Sequence, residues 1–158
     1  MRYYLIDRVT EIVPGERARG VKCVTLGDEV LHDHFPDYPV MPGALIVEAA
    51  AQLAGFLLET SVNEPGVPPL RALMVQIRQA KFYELVGPGR CIDLEVTLTS
   101  RLEGAAEVAA EARCGETRVA RAELTFVLKR IDSERVHEQR RYVYGLWTRD
   151  LSPPVRIL

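Results

Sequence analysis

From Ala44 to Leu58 the chain is a run of good helix formers that is apolar almost all the way round. A helix with one apolar stripe can lie on a surface, but this one presents no polar face to water and has to be enclosed on most sides. Pro42 suits an opening position, and the prolines before it at 36 and 39 make residues 27–42 a stiff loop rather than more helix. Only Glu48 and Gln52 break the apolar surface, and their i,i+4 spacing puts both on one face. The enclosing layer must come from the rest of the chain. Residues 5–13 and 18–26 mix β-branched with polar residues around Pro14-Gly15-Glu16, as two strands about a turn do. Alternating or apolar runs recur at 70–78, 91–102, 105–113 and 118–130, punctuated by Gly87-Pro88-Gly89, Glu103-Gly104 and Gly115-Glu116. The spacing predicts an α+β domain over residues 1–131, an antiparallel sheet of about six strands around one long buried helix, with the last three strands as a meander.

Residues 132–141 are dense in charge, Tyr142 to Trp147 are aromatic, and Ser152-Pro153-Pro154 ends any regular element. A short helix capped by Ser133 followed by a packed tail is expected, so that residues 132–158 form an extension on the same domain. Twenty Lys and Arg against twenty-two Asp and Glu leave a net charge of -2. That field is too weak to attract nucleic acid or an anionic membrane surface, and a charged partner has to be met by a local patch. Cys23, Cys91 and Cys114 are far apart and odd in number, which reads as small core hydrophobes in a reducing compartment rather than a disulfide framework. The charged start of the chain is unlike a signal region, and no stretch is expected to reach the length of a membrane span. A cytoplasmic protein is the expectation.

Chemistry concentrates in residues 32–52. The proline-stiffened loop carries His34, and the buried helix carries a lone carboxylate, Glu48, in its second turn. An imidazole that titrates near neutrality beside a desolvated carboxylate suits general acid–base work. Gly43, without a Cβ at a helix N-terminus, lets a carbonyl approach a free backbone N–H. Each residue alone also fits a structural role: a solvated loop histidine, a glutamate satisfied by backbone, a helix start. His32-Asp33-His34 invites a metal, but no further His or Cys cluster supplies the remaining ligands.

The run His34-Phe35-Pro36-x-x-Pro39-x-x-Pro42-Gly43, followed by Glu48-Ala49-x-Ala51-Gln52, resembles the signature of the 3-hydroxyacyl-acyl-carrier-protein dehydratases of fatty-acid synthesis, which have the hot-dog fold. The likeness extends to Leu5-Ile6-Asp7-Arg8-Val9, to Lys81-Phe82 with Val86-x-Pro88-Gly89, and to residues 120–126, about residues 4–130 in all. It implies reversible dehydration of a 3-hydroxyacyl thioester to the trans-2-enoyl product, with no metal or organic cofactor. His34 would be the catalytic histidine, Glu48 the catalytic acid, and Gly43 the amide that polarises the thioester carbonyl. Phe35, Met41, Leu45 and Phe82 are placed by position along the acyl tunnel. Arg78 and Lys81 are placed by position to dock an acidic acyl carrier protein. The resemblance also implies a homodimer in which the histidine of one subunit faces the carboxylate of the other, with three dimers often assembling further.

The chain departs from the family pattern at Asp33 and at Asp37-Tyr38, where the family usually has glycine. Val40-Met41-Pro42-Gly43 looks more like the dehydratase-isomerase branch, yet that branch has Asp where this chain has Glu48, which favours dehydration alone. A hot-dog acyl-CoA thioesterase would use the helix carboxylate to activate water and would have no use for His34. A non-catalytic acyl-binding or scaffold subunit would tolerate Asp33, but loss of His34 or Glu48 would be its sign and both are present.

Overall fold

The helix read from the apolar run is α1, Gly43–Val62, at 20 residues a turn longer at its C-terminal end than expected. Six strands wrap it: β1 (Arg8–Val13), β2 (Arg17–Cys23), β3 (Leu70–Phe82), β4 (Cys91–Leu102), β5 (Ala105–Cys114) and β6 (Thr117–Arg130). A second helix, α2 (Glu134–Thr148), follows them. These elements come from a computed structural model that describes residues 3–158. All strands join one antiparallel sheet in the order β1-β2-β4-β5-β6-β3. The β4-β5-β6 meander is therefore as expected. β3 is the element that leaves chain order, crossing over to pair with β6 and become an edge.

Leu53, Ala54, Phe56, Leu57 and Leu58 of α1 are all fully buried. Burying each of the large ones is worth roughly 1.5–3 kcal/mol, so the helix is held by enclosure rather than by propensity. Contrary to the expectation that nothing approaches a membrane span, α1 is long and apolar enough by length and composition to cross one. Of its most apolar stretch, 67% is buried within the fold, as a core helix inside a sheet must be.

Two bulges shape β3. Met74 pairs with Phe126, Ile77 with Leu124, Ala80 with Ala122 and Phe82 with Ala120, with register shifts after Met74 and after Ile77. Paired residues share a face, so Met74, Ile77, Ala80 and Phe82 join the buried residues of β6 on the inner face despite their uneven spacing. α1 covers them only in part, Gly43 at its first turn lying against the Phe82 ring. Met74 is 37% exposed, Ile77 49% and Phe82 52%.

The cysteine reading needs correction. Cys23 and Cys91 stand opposite each other in the β2–β4 register and are disulfide-bonded, while Cys114 is free and buried. The partners are 68 residues apart, and only the sheet order, which skips β3, brings them together.

The C-terminal segment also differs from its expected form. The aromatic run lies within α2, a 15-residue helix, rather than in a tail after a short one. Ser133 occupies the N-cap position but makes no capping bond through its side chain. α2 is fixed by packing: the Tyr144 and Trp147 rings meet Phe56 edge-on at 4.9 and 6.4 Å between centroids. Beneath them is a buried polar cluster. Arg71, 1% exposed, donates through Nη1 to Glu59 Oε2 at 2.8 Å and through Nε to His137 Nδ1 at 3.0 Å. Glu59 Oε1 accepts the Ala72 N–H, and His137 Nε2 faces the Ile131 carbonyl at 2.9 Å. Helix, edge strand and extension thus share one network, in which every charge has a partner.

Candidate active site

Glu48 stands in the second turn of α1 and is half-buried, not sealed in the core. Gln52, one turn on, holds it: its Nε2 donates to Glu48 Oε1 at 3.0 Å and to the Tyr3 carbonyl at 3.2 Å. The same side chain accepts the Leu5 N–H at 3.0 Å. Gln52 therefore fixes the carboxylate against the segment entering β1, and it follows from the i,i+4 spacing visible in the sequence. The Tyr3 phenol is pushed above its usual value by desolvation and by the charge of Glu48.

The carboxylate opens into a groove of about 940 Å³. One side is the Glu48, Ala51, Gln52 and Gly55 face of α1, and the floor is Ala72, Leu73, Met74 and Phe126. The opposite side is α2, through Val136, Gln139, Arg140, Val143 and Trp147. This wall went unread in the sequence, because the aromatic run was not recognised as helix.

His34 lies elsewhere. It follows the 3₁₀ turn Glu29–Leu31, is half-buried, and stacks on Phe35 at 4.2 Å between ring centroids. Its carbonyl accepts the Val40 N–H, and Phe35 and Tyr38 exchange backbone bonds, which closes a tight turn. Asp37 sits in that turn at φ 62°, the left-handed region that glycine adopts at least cost. Asp33 is exposed and forms neither a hydrogen bond nor an ion pair with His34. The residues lining the Glu48 groove do not include His34, and no hydrogen bond joins the two.

Gly43 is the first residue of α1, after Pro42 at the N-cap. Its N–H is one of the helix's unsatisfied first-turn donors. The Phe82 ring lies so close over it that a Cβ at 43 would stand 2.7 Å from Cε1. Gly43 and Phe82, chosen separately, are thus brought into contact. Phe35 and Phe82 are exposed, at 53% and 52%, and Leu45 is half-buried against the core. Met41, at 4% exposure, is core, with its N–H bonded to the Val86 carbonyl. None of these four lines the groove. Arg78 is exposed but paired with Glu107 at 2.9 Å; Lys81 is exposed and has no such partner among the described residues. Among the described residues, no group of three or more His, Cys, Asp or Glu is placed to hold a metal ion.

An antiparallel sheet curled around a long apolar helix, with a histidine loop leading into that helix and a carboxylate on it, defines a hot-dog domain. The comparisons narrow the class. The family model described as a FabA-like domain matches residues 1–123. A "3-hydroxyacyl-[acyl-carrier-protein] dehydratase FabZ" of Caldanaerobacter subterraneus is 39% identical over 126 residues, covering 80% of this chain and 87% of the relative. One of the same name from Ligilactobacillus salivarius is 40% identical over 124 residues, covering 78% and 86%. Among solved structures, a hot-dog-like protein from Thermanaerovibrio acidaminovorans superimposes with a TM-score of 0.63 at 21% identity, over 81% of this chain and 93% of its own. The fluoroacetyl-CoA thioesterase FlK reaches 0.63 at 14% identity, over 83% and 98%, a likeness of fold alone. The chain belongs to the FabA-like, 3-hydroxyacyl-[acyl-carrier-protein] dehydratase family.

Proposed function

We propose that the protein removes water reversibly from 3-hydroxyacyl thioesters carried on acyl carrier protein, giving trans-2-enoyl thioesters in the synthesis of fatty or related acyl chains. The observation that carries this reading is the Glu48 carboxylate, fixed by Gln52 and opening into a groove large enough for a substrate chain. His34 takes the C2 proton, and the electron pair of that bond forms the C2–C3 double bond as the C3–O bond breaks. Glu48 gives its proton to the departing hydroxyl, which leaves as water. The Gly43 amide donates to the thioester oxygen, where negative charge builds while the C2 proton departs.

Two half-sites in one chain favour a site shared between two chains. The groove holds Glu48 without His34, and the Met74–Phe82 stretch of β3 leaves both an open backbone edge and an apolar inner face in need of cover. A second copy joined through β3 would cover both and bring its own His34 loop toward Glu48. Lys81, beside that edge and without an ion-pair partner among the described residues, is the stronger of the two cations for docking an acidic carrier, with Arg78 shared with Glu107. Residues 132–158 act as an extension of the catalytic domain. A cytoplasmic location rests on the family, since cysteine usage no longer argues for it.

Hydration of crotonyl and longer enoyl thioesters, on coenzyme A and on carrier protein, tests the reading. Turnover with preference for the carrier-linked form is expected; no hydration of any enoyl thioester contradicts it. Charge reversal at Lys81 should raise KM for carrier-linked substrate and leave KM for a minimal thioester unchanged, whereas equal effects on both count against docking.

A further inference from the structure

The family match ends at residue 123, and α2 lies wholly beyond it. The helix is nonetheless a fixed part of the molecule, anchored by the Arg71–His137 bond and by the ring contacts of Tyr144 and Trp147 with Phe56. It forms the side of the Glu48 groove that faces α1. Along α1, Glu48 and Gly55 lie on this groove two turns apart, roughly 10 Å at 1.5 Å per residue. Small residues keep that stretch open: a Cβ at Gly55 would meet only the Ala72 methyl, at 4.0 Å. Trp147 lines the same groove and packs on Phe56, the residue after Gly55 and two turns along α1 from Glu48.

We propose that α2 is a specificity element, with Val143 and Trp147 forming the end wall against which the tail of a linear alkyl chain stops. The inference rests on the reading of Glu48 as the acid of the dehydratase site. The groove lies between the carboxylate and the wall, so a short acyl chain ends before Trp147, an intermediate one reaches it, and a long one must displace it. The groove is mixed, with Gln139 and Arg140 on its α2 side, but Ala51, Gly55, Ala72, Phe126 and Val143 give it an apolar strip on which an unbranched hydrocarbon can lie.

Trp147 is the only tryptophan in the chain and is 4% exposed, so its emission reports what reaches the wall. The full-length protein is titrated with non-reactive thioether analogues of butyryl-, decanoyl- and palmitoyl-pantetheine, with binding followed independently by calorimetry. The decanoyl analogue should change Trp147 emission and the butyryl analogue should not. Gly55→Leu, which fills the path before the wall, should lower decanoyl affinity relative to butyryl by roughly tenfold or more. Decanoyl binding without a change in emission, absence of decanoyl binding, or an unaltered ratio in Gly55→Leu overturns the proposal. A chain-length-dependent response in protein that hydrates no enoyl thioester supports the wall and overturns only the dehydratase reading.

Discussion

Glu48 and Gly43 place the sharpest demands on single residues. The carboxylate is held by one side-chain bond from Gln52, and its shape is nearly that of glutamine. Glu48→Gln is therefore expected to melt within a degree or two of wild type while its dehydration rate falls about 10²–10⁴-fold, the usual worth of a positioned acid. A thermal melt paired with a turnover assay decides it, and an unchanged rate would remove Glu48 from the mechanism. Gly43 is constrained by contact as well as by the proposed role of its amide, because a methyl there meets the Phe82 ring. Gly43→Ala should cost about 1–3 kcal/mol, as overpacking does, and adding Phe82→Ala should recover part of it. Losses that simply add would show that the ring is free to swing aside. His34, Glu48 and Gly43 stand out in the sequence because each departs from its surroundings: an imidazole among prolines, one acid in an apolar helix, a residue without Cβ where a helix opens. The Gln52 tether was half legible, its face known and its bond not.

At the scale of elements, every strand and the core helix could be read from periodicity, and the readings failed where tertiary contacts decide. β3 extends to Phe82 because β6 supplies partners along its whole length, although two bulges spoil its alternation. α2 binds through Tyr144 and Trp147, residues that look like an aromatic tail until the helix puts them on one face. The disulfide depended on which strands are neighbours, and sequence separation hides that. Arg71 and Glu59 were unremarked because charges on a strand and a helix normally face water. Their burial makes a firm prediction: Glu59→Ala leaves a guanidinium uncompensated and should cost about 3–5 kcal/mol in a denaturant melt, whereas Glu59→Leu with Arg71→Met should cost much less. Equal losses in the two proteins would mean that water reaches the cluster. Burial first, and the Glu59 carboxylate second, push the Tyr144 phenol well above its usual value. A raised folded pKa gives stability that is complete below the unfolded value near 10 and is lost as pH climbs from there toward the folded one. Alkaline unfolding should thus be less steep in Tyr144→Phe, which keeps the ring contacts. Superimposable alkaline limbs would place the phenol in contact with solvent.

For the whole molecule, the proposed mechanism leaves a single chain chemically incomplete: His34 is on a loop, Glu48 is in a groove that His34 does not line, and β3 presents an apolar edge with a free backbone to solvent. The proposed pairing of two β3 edges would resolve the structural and the chemical deficit together, and on that proposal Ile77→Arg on the inner face should give a monomer by light scattering that has lost activity. The most direct measurement is subunit exchange between two inactive proteins, His34→Ala and Glu48→Ala, mixed at equal concentration. A mixed dimer holds one site with both residues and one with neither. Random exchange makes about half the dimers mixed, so activity should recover to roughly a quarter of the wild-type rate if the two sites are independent. No recovery after exchange has been verified would mean that His34 and Glu48 act within a single chain, and the shared site would have to be given up.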